Sequence, residues 1–249
     1  MILDLDIGNT RIKWRLSDVN AASEPGGQKS GVASGLKELL EATVELYPVV
    51  RVRAACVRGG SLLAEVTELL AKNWQLTVQT AQVRRECQGV TVCYEDLTRL
   101  GVDRWLAMLA AYRDADSGCV VVDCGTAMTI DLIDSRGHHL GGYIVPGLRL
   151  IPESLTRNTA IELNGEPEWA QQPGSSTEQA IYHGALQMLV SLLENTVVRE
   201  LPRLSGKQPP VVYLTGGDAA LLMSFLELRN VTLKQVQELV IEGLALALP

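Results

Sequence analysis

Apolar and polar residues alternate in two short runs at the start of the chain. Over residues 3–7 the apolar positions alternate with Asp4 and Asp6, and over residues 12–16 they alternate with basic side chains. Alternation with a period of two is typical of β-strands that bury one face. The intervening residues 8–10, Gly-Asn-Thr, are typical of a tight turn. The pattern therefore predicts a β-hairpin at the beginning of the fold.

Helical and extended patterns alternate through the rest of the first half. They predict a loop or irregular edge over residues 20–34, a helix over 36–43, a buried strand over 49–55, a helix capped by Ser61 and a strand over 76–78. A hairpin followed by alternating helices and strands is typical of an α/β domain with a mixed sheet. We therefore predict a first lobe over residues 1–116 and a second lobe over residues 117–249.

The second half repeats the pattern of the first. An apolar run over residues 119–123 ends in an aspartate, Gly-Thr-Ala follows at residues 125–127, and further strands are predicted over residues 129–134 and 139–145. The turn sequence LDIGNT in the first half resembles VDCGTA in the second, each with an aspartate two positions before a glycine. An internal duplication explains two such turns, each between two strands, better than chance does.

A long helix is predicted in the last third of the chain. Ser175 and Glu178 form a capping-box pattern ahead of it. Its buried stripe is predicted to contain Ala180, Ile181, Gly184, Ala185, Met188, Leu189, Leu192 and Leu193. His183 falls off this stripe, so we expect it to be exposed.

One more glycine turn and one more helix complete the pattern. An apolar strand predicted over residues 211–214 runs into Thr-Gly-Gly-Asp at residues 215–218. A nucleotide could approach the backbone closely at such a turn. Residues 239–248 are apolar and are predicted to form a packing helix.

Composition excludes several classes of protein. The chain of 249 residues is 47% hydrophobic, enough for a sizeable core, and its net charge of −7 argues against a general nucleic-acid surface. No apolar run approaches the length of a membrane span, and no export signal is recognisable.

Five cysteines form no C-x-x-C pair, which indicates reduced thiols in a cytoplasm. Three scattered histidines offer no zinc-ligand spacing, and the pair at residues 138 and 139 is predicted to lie on a hairpin turn.

The first hairpin carries candidate chemistry for binding phosphate. Gly8 permits a close backbone approach, and exposed N–H groups of such a turn can hold phosphate oxygens. Asp6 could hold a Mg²⁺ ion or its water shell, and Lys13 could reach the phosphates as a point charge. From these residues alone, an ordinary hairpin whose aspartate caps its own turn is an equal alternative.

A second candidate site lies at the start of a helix predicted after Gly101. Asp103 falls in the first turn of that helix, where a carboxylate interacts favourably with the helix dipole and is commonly only a stabilising cap. The functional alternative is an acceptor carboxylate at the rim of a cleft, with Arg104 offering planar donors to an anionic substrate. This segment alone favours the structural role.

Seven segments occur in a fixed order along essentially the full chain. They are DIGNTRIK at residues 6–13, Tyr94, GVDR at 101–104, DCGTA at 123–127, GGYIVPG at 141–147, Thr177 and TGGD at 215–218. The ordered set resembles the type III pantothenate kinases, within the superfold of acetate and sugar kinases, heat-shock chaperones and actin. The resemblance implies two duplicated actin-like (ribonuclease H-like) α/β lobes, with mixed sheets flanked by helices and a nucleotide cleft between the lobes.

The resemblance also implies an activity and roles for individual residues. It implies ATP-dependent phosphorylation of pantothenate, the first step of coenzyme A biosynthesis, by a cytoplasmic homodimer with no nucleic-acid or membrane partner. The residues implied to bind the phosphates of ATP, with Mg²⁺, are Asp6, Ile7, Gly8, Asn9, Thr10, Arg11, Ile12, Lys13 and Thr126. Those implied to contact pantothenate are Tyr94, Gly101, Val102, Asp103, Arg104 and Thr177. Asp103 would be the general base, and Asp123 would hold a monovalent cation, K⁺ or NH₄⁺.

Three alternatives remain open from the sequence. Thr177 follows Ser176, where many relatives carry Asn, so a purely helix-terminal role stands beside substrate contact. The chain could be a kinase of the same superfold that acts on another small hydroxylated acid or sugar, because a fold does not fix a substrate. It could also be a non-catalytic nucleotide-binding regulator, such as an accessory transcriptional activator. The features that favour an active enzyme are four retained residues, Asp6, Lys13, Asp103 and Asp123.

Overall fold

A computed structural model describes residues 1–8, 11–18, 28–43, 47–57 and 61–249 of the chain. The chain divides into two compact units. The first unit comprises residues 1–88, 94–110 and 238–249, and the second comprises residues 89–93 and 111–237. Each unit contains a five-stranded sheet with helices against it, which confirms the predicted mixed α/β class.

The strands and helices of the described residues follow one another in an alternating order. The strands are β1 (Ile2–Ile7), β2 (Ile12–Ser17), β3 (Lys29–Ala33), β4 (Arg51–Cys56), β5 (Val78–Thr80), β6 (Glu86–Cys87), β7 (Val90–Thr91), β8 (Cys119–Cys124), β9 (Ala127–Ile133), β10 (His139–Pro146), β11 (Val211–Thr215) and β12 (Thr232–Gln235). The helices are α1 (Leu36–Ala42), α2 (Ser61–Trp74), α3 (Val102–Ala115), α4 (Leu150–Asn158), α5 (Thr177–Leu204), α6 (Ala219–Met223) and α7 (Leu239–Ala247). A 3₁₀ turn over Leu97–Arg99 precedes α3.

The sheet of the first unit has the strand order β3-β2-β1-β4-β5. Strands β1 and β2 pair antiparallel, so the predicted hairpin is confirmed, although Asn9 and Thr10 of its turn lie outside the described residues. Strand β1 also pairs with β4 in parallel, which makes the sheet mixed. Residues 29–33, within the stretch predicted as a loop or irregular edge, form a regular edge strand because they pair with β2.

The two faces of this first sheet differ in polarity. Leu3, Leu5 and the apolar positions of β2 and β4 form a buried core with α1 and α2. The opposite face carries Asp4, which is fully buried and accepts two hydrogen bonds from Arg53, at 2.6 and 2.9 Å. A nitrogen of Arg15 lies 3.8 Å from the same carboxylate. The buried charge is therefore paired, as a stable interior requires.

The C-terminal helix α7 packs on the first sheet, whereas the division at residue 116 assigned these residues to the second lobe. Arg53 and Arg84 donate to carbonyl oxygens at its end, those of Leu248 and Ala247. These carbonyls carry the partial negative charge of the helix dipole, which cationic side chains stabilise. The predicted packing helix is confirmed, and arginines of the first unit hold its end.

The second unit repeats the strand arrangement of the first. Its sheet has the order β10-β9-β8-β11-β12, and β8 pairs antiparallel with β9 and parallel with β11. These relations match those of β1 with β2 and β4. The shared topology supports the predicted internal duplication. The predicted strands of this unit are present with ends shifted by one or two residues, and β12 was not predicted.

Helix α5 runs through the core of the second unit, and its buried face overlaps the predicted stripe in part, because Ala185, Leu189 and Leu193 are buried as predicted. Gly184 and Met188, both in the predicted stripe, are exposed. His183, predicted to be exposed, is buried. Its Nδ1 lies 2.7 Å from the carbonyl oxygen of Gln172. The prediction for His183 was wrong because a backbone acceptor on a neighbouring segment makes burial of a polar ring tolerable.

The capping box of α5 lies one residue later than predicted. Ser176 is the N-cap, and its Oγ accepts a hydrogen bond from the backbone N–H of Gln179 at 3.2 Å. The side-chain carbonyl of Gln179 accepts in return from the N–H of Ser175 at 3.0 Å. Gln179 therefore bonds to both Ser176 and Ser175, in place of the predicted pair of Ser175 with Glu178.

The adjacent histidines have different environments. His138 is exposed, and its Nδ1 lies 3.1 Å from a carboxylate oxygen of Asp134. His139 is the first residue of β10 and is buried, so its predicted place on a turn was wrong. Neighbouring residues of a strand point to opposite faces, which separates the two rings. Within the described ranges, no helix has the length and apolar composition needed to cross a membrane.

Candidate functional site

The first hairpin places an acidic and a basic side chain next to each other at the end of β1. Asp6 is largely buried and lies directly opposite Lys13 of β2 in the strand register. Directly opposed residues of an antiparallel pair share one face of the sheet. The N–H of Gly8 donates to the carbonyl oxygen of Arg11 at 3.1 Å, so a hydrogen bond joins the two strands next to the turn. The hairpin therefore presents a carboxylate and an ammonium group on the same face.

Not every residue assigned to the nucleotide can contact it through a side chain. Ile7 and Ile12 are buried in the apolar core of the first unit. Their side chains are therefore not available to a ligand. Arg11 is exposed, whereas Asn9 and Thr10 lie outside the described residues.

All but one of the residues assigned to pantothenate lie together where α3 begins. The guanidinium of Arg104 is largely buried and donates to the hydroxyl of Tyr94 at 3.2 Å. Its carbon lies 5.9 Å from the centre of the Tyr94 ring, within the range of a cation–π contact. Asp103 is half-buried in the first turn of α3, and its Oδ1 accepts from the N–H of Arg104 at 2.8 Å.

Gly101 sets the position of the Asp103 carboxylate. A Cβ atom added to Gly101 would lie only 2.5 Å from Oδ1 of Asp103. The carboxylate therefore occupies the space that a side chain would take at this position. The structure brings Tyr94, Gly101, Asp103 and Arg104 together around one small region, and Val102 begins the helix that holds them.

The second hairpin gathers three glycine-containing turns at the end of β8. The N–H of Gly147 donates to the carbonyl oxygen of Thr126 at 2.8 Å, and the N–H of Asp218 donates to that of Cys124 at 3.1 Å. Gly216 has a φ of 92°, and a Cβ there would lie 2.5 Å from Oδ1 of Asp123. Glycine is required at this point because both the conformation and the space exclude a side chain.

Cys124 and Thr177 differ in what they offer to a ligand. Burial, with smaller contributions from two nearby aspartates, raises the pKa of the Cys124 thiol to about 12, so this residue is a packing group of the turn. Thr177 is the exposed first residue of α5, beside the N-cap Ser176. It belongs to the second unit, and its described surroundings are those of a helix terminus.

A sequence profile described as type III pantothenate kinase matches residues 2–199. The chain belongs to the type III pantothenate kinase family. A type III pantothenate kinase from Chromohalobacter salexigens is 42% identical over 223 residues, which cover 88% of this chain and 78% of that protein. Another, from Pseudomonas paraeruginosa, is 35% identical over 260 residues, which cover 100% of this chain and 99% of that protein.

Solved structures place this member of the type III pantothenate kinase family in a wider fold. A conserved protein from Campylobacter jejuni, provisionally described as a Baf family transcriptional activator, has a TM-score of 0.60 at 21% identity and covers 98% of this chain and 95% of its own. The acetate kinase of Porphyromonas gingivalis has a TM-score of 0.50 at 10% identity, covering 98% of each chain. These likenesses confirm the predicted actin-like fold. Membership of a kinase family implies ATP as the phosphoryl donor.

Two supports of the site were not found from the sequence. Arg85 donates to the carbonyl oxygens of Tyr94 and Glu95, at 2.5 and 2.9 Å, and so fixes the segment that carries Tyr94. The buried pair of Asp4 and Arg53 lies in the strands beside Asp6. Arg53 is a charged residue within the apolar pattern of β4, which indicated that it needs a buried partner. The pattern could not identify Asp4 as that partner.

Proposed function

We propose that this chain transfers the γ-phosphate of ATP to the hydroxyl group of pantothenate, the first step of coenzyme A biosynthesis. The observation that carries the proposal is the cluster of Asp103, Arg104 and Tyr94, in which a half-buried carboxylate is held beside a largely buried guanidinium. Membership of the type III pantothenate kinase family supports the same acceptor.

In this proposal the first hairpin holds the phosphates of ATP. The first hairpin and the ammonium group of Lys13 neutralise phosphate charge, and Thr126 of the second hairpin is assigned to the phosphates as well. Phosphoryl transfer depends chiefly on alignment and on such charge stabilisation, so no covalent intermediate is required. The hairpin itself supports this role through the shared face of Asp6 and Lys13.

Asp103 acts as the general base. Its carboxylate accepts the proton of the pantothenate hydroxyl as the oxygen attacks the γ-phosphate, and the N–H of Arg104 orients that carboxylate. The planar guanidinium of Arg104 suits the carboxylate of pantothenate, with Tyr94 holding the guanidinium in place. Gly101, Val102 and Thr177 complete the proposed acceptor site.

We propose two cation sites. Among the described residues no three His, Cys, Asp or Glu side chains cluster around a point. In this proposal Mg²⁺ would be held by Asp6 together with phosphate oxygens and water. Mg²⁺ bound in this way supplies charge neutralisation at the phosphates. A monovalent cation, K⁺ or NH₄⁺, is assigned to Asp123, whose Oδ1 faces a space that no side chain at Gly216 can fill.

The remaining proposals concern assembly. We propose that the chain forms two lobes, which the sequence divides near residue 116 and of which the first also includes the C-terminal helix α7, and that two copies form a homodimer in the cytoplasm. The duplicated strand order of the two sheets supports the two-lobed arrangement. Size-exclusion chromatography with light scattering tests the dimer, because a single 27.0 kDa species would contradict it.

The activity is tested by ADP release from ATP with and without pantothenate, in K⁺ and again in Na⁺ buffer. We expect pantothenate-dependent release that K⁺ enhances. Asp103→Asn should lower turnover about 10²- to 10⁴-fold, the range typical of a lost general base, while the fold stays intact. The matched control is Asp116→Asn, an exposed residue just beyond the same helix with a φ of 48°, a conformation that Asn accepts readily.

Folded wild-type protein that releases no ADP with pantothenate would contradict the proposed acceptor. A search across other small hydroxylated acids and sugars would then separate a kinase with another substrate from a non-catalytic regulator. Equal turnover in the Asp103→Asn and Asp116→Asn variants would instead leave Asp103 with only its helix-terminal role.

A further inference from the structure

A cysteine, a histidine and an aspartate form a linear relay in the second unit. The thiol of Cys93 lies 3.5 Å from Nδ1 of His139, and Nε2 of the same ring lies 3.0 Å from Oδ1 of Asp131. His139 and Asp131 are buried, whereas Cys93 is exposed. The relay therefore runs from the interior of the sheet to an accessible sulfur atom.

Backbone pairing places Cys93 next to His139. The N–H of Thr91 donates to the carbonyl oxygen of Gly137 at 2.9 Å, and Thr91 forms a parallel bridge with His138. This pairing brings the chain after β7 alongside the start of β10, so Cys93 and His139 become neighbours. The arrangement is built by strand pairing and does not depend on a chance rotamer at the surface.

The buried carboxylate decides which ring nitrogen of His139 faces the thiol as a base. Asp131 can only accept a hydrogen bond when ionised, so Nε2 of His139 carries the proton directed at it. Nδ1 is then the nitrogen with the free electron pair, and it faces the sulfur of Cys93. A thiol beside such an imidazole becomes a thiolate more readily than an isolated thiol.

The other cysteines of the chain do not share this environment. Cys119 and Cys124 are buried, and burial raises the pKa of both thiols, so they are poor nucleophiles. Cys56 and Cys87 are partly exposed. Cys87 therefore serves as an internal reference for a thiol of the same chain.

We propose that Cys93 is a thiol-exchange site that takes up a mixed disulfide from low-molecular-weight aliphatic disulfides, with His139 as its base and Asp131 as the residue that positions the ring. Nδ1 of His139 removes the proton of the Cys93 thiol, and the thiolate attacks one sulfur of the disulfide. A new S–S bond forms as the old one breaks, and the departing thiolate takes the proton from His139. The cysteine is oxidised and one half of the disulfide is reduced, so no further oxidant is needed.

Other titratable groups lie on the elements packed around this relay. On the turn between β9 and β10, His138 pairs with Asp134 at 3.1 Å. The ring of Tyr112 in α3 lies close to Gly89 and Gly137. Burial raises the pKa of its hydroxyl, with a smaller contribution from Asp134. Neither His138 nor Tyr112 forms part of the line from Asp131 to the Cys93 thiol.

The test measures the rate of mixed-disulfide formation at each cysteine of the folded full-length chain. The probe is bis(2-hydroxyethyl) disulfide, which is uncharged and so insensitive to the net charge of the protein. Aliquots are quenched with an alkylating agent and digested, and each cysteine peptide is quantified by mass spectrometry between pH 6 and 9.5. This readout does not depend on kinase activity, so it can fail or succeed independently of the proposed function.

At pH 6 we expect Cys93 to react about tenfold faster than Cys87, because more of it is thiolate. Above pH 9 the order should reverse, because a histidine-paired thiolate is the weaker nucleophile once both thiols are ionised. His139→Asn should bring the two rates at pH 6 to within about twofold of each other, and Asp131→Asn should slow Cys93 less. The matched control, His138→Asn, should leave the profile of Cys93 unchanged.

Circular dichroism checks that each variant is folded. If His139→Asn does not fold, the wild-type profiles of Cys93 and Cys87 decide the matter, because only an activated thiol gives rates that cross. Parallel profiles for the two cysteines, or a folded His139→Asn variant with the wild-type rate at pH 6, would overturn the proposal.

Discussion

The contact between Gly101 and the Asp103 carboxylate allows the proposed general base to be displaced with little effect on the fold. A methyl group added at Gly101 would lie 2.5 Å from Oδ1 of Asp103, whereas ordinary contacts begin at 3.4 Å. The carboxylate must therefore retreat by about 0.9 Å, the difference between these two distances. The atom that moves is the end of a flexible side chain, so the backbone can stay in place.

The expected effect on turnover follows from this displacement. A shift of about 1 Å in a catalytic group costs about 10²-fold in rate, which corresponds to about 2.7 kcal/mol in the activation free energy. The effect on stability is smaller. Alanine is a poorer residue than glycine before the first helical turn, at a cost of about 1 kcal/mol, or about 2–4 °C in Tm for a chain of this size.

The assay compares Gly101→Ala with wild type for pantothenate-dependent ADP release and for thermal unfolding. Gly184→Ala is the matched control, because nothing lies within 4 Å of the added Cβ and alanine favours an exposed helix position by about 0.5–1 kcal/mol. We expect turnover near 1% of wild type for Gly101→Ala and unchanged turnover for Gly184→Ala. Full turnover in folded Gly101→Ala would refute the reasoning, since it would show that the position of Asp103 does not matter.

Three further predictions concern stability. Gly243→Ala should lower the free energy of unfolding by about 1–3 kcal/mol, because the added Cβ would lie 1.9 Å from a backbone carbonyl oxygen of α3. Asp4→Ala should lower it by about 3–5 kcal/mol in urea titrations, because Arg53 would keep a buried charge without its carboxylate. Hydrogen bonds from Lys234, the larger contribution, and from Tyr213 hold the pKa of Asp114 below its ordinary value. The stability that these bonds provide should therefore be lost as the pH falls below about 4, where the carboxylate becomes protonated.

Each of these predictions has a control in the chain. Gly217→Ala adds a Cβ with nothing within 4 Å and should leave stability close to wild type. Glu41→Gln removes an exposed partner of Lys37 and should change the free energy of unfolding by no more than about 0.5 kcal/mol. In Lys234→Met the stability should fall less steeply with acid than in wild type, because the pKa of Asp114 is then less depressed. Equal acid slopes in the two proteins would exclude this contribution.

The sequence predicted those features whose signal is local. Alternation with a period of two located the first hairpin, and a continuous apolar run located the strand that opens the second. The repeat of Asp-x-Gly indicated the duplication that the two strand orders share. The place of Gly101, Asp103 and Arg104 at the start of a helix was also predictable, since they lie within four positions of the chain, whereas their proposed role toward the acceptor came from the resemblance to the type III pantothenate kinases. Features of this kind depend on neighbouring residues, so no knowledge of tertiary contacts was needed.

Features that depend on distant partners were not predictable. His183 is buried because the carbonyl oxygen of Gln172 happens to lie beside it, and nothing in the helical period of α5 signals that acceptor. The end of α7 is bound by arginines that lie far away in the chain. Cys93 and His139 are separated by 46 residues and meet only because β7 pairs beside β10. Long-range strand pairing and side-chain burial decide all three cases.

The duplicated sheets also offer a physical argument for the different tasks that we propose for the two hairpins. In the first, the residue opposite Asp6 is Lys13, and in the second the residue opposite Asp123 is Thr129. Equivalent positions therefore hold a cation in one hairpin and an uncharged hydroxyl in the other. A positive side chain suits the phosphates of ATP, whereas a carboxylate beside a hydroxyl offers oxygen donors of the kind that a monovalent cation accepts. The exchange of lysine for threonine is thus a physical reason to assign phosphate to the first hairpin and the cation to Asp123.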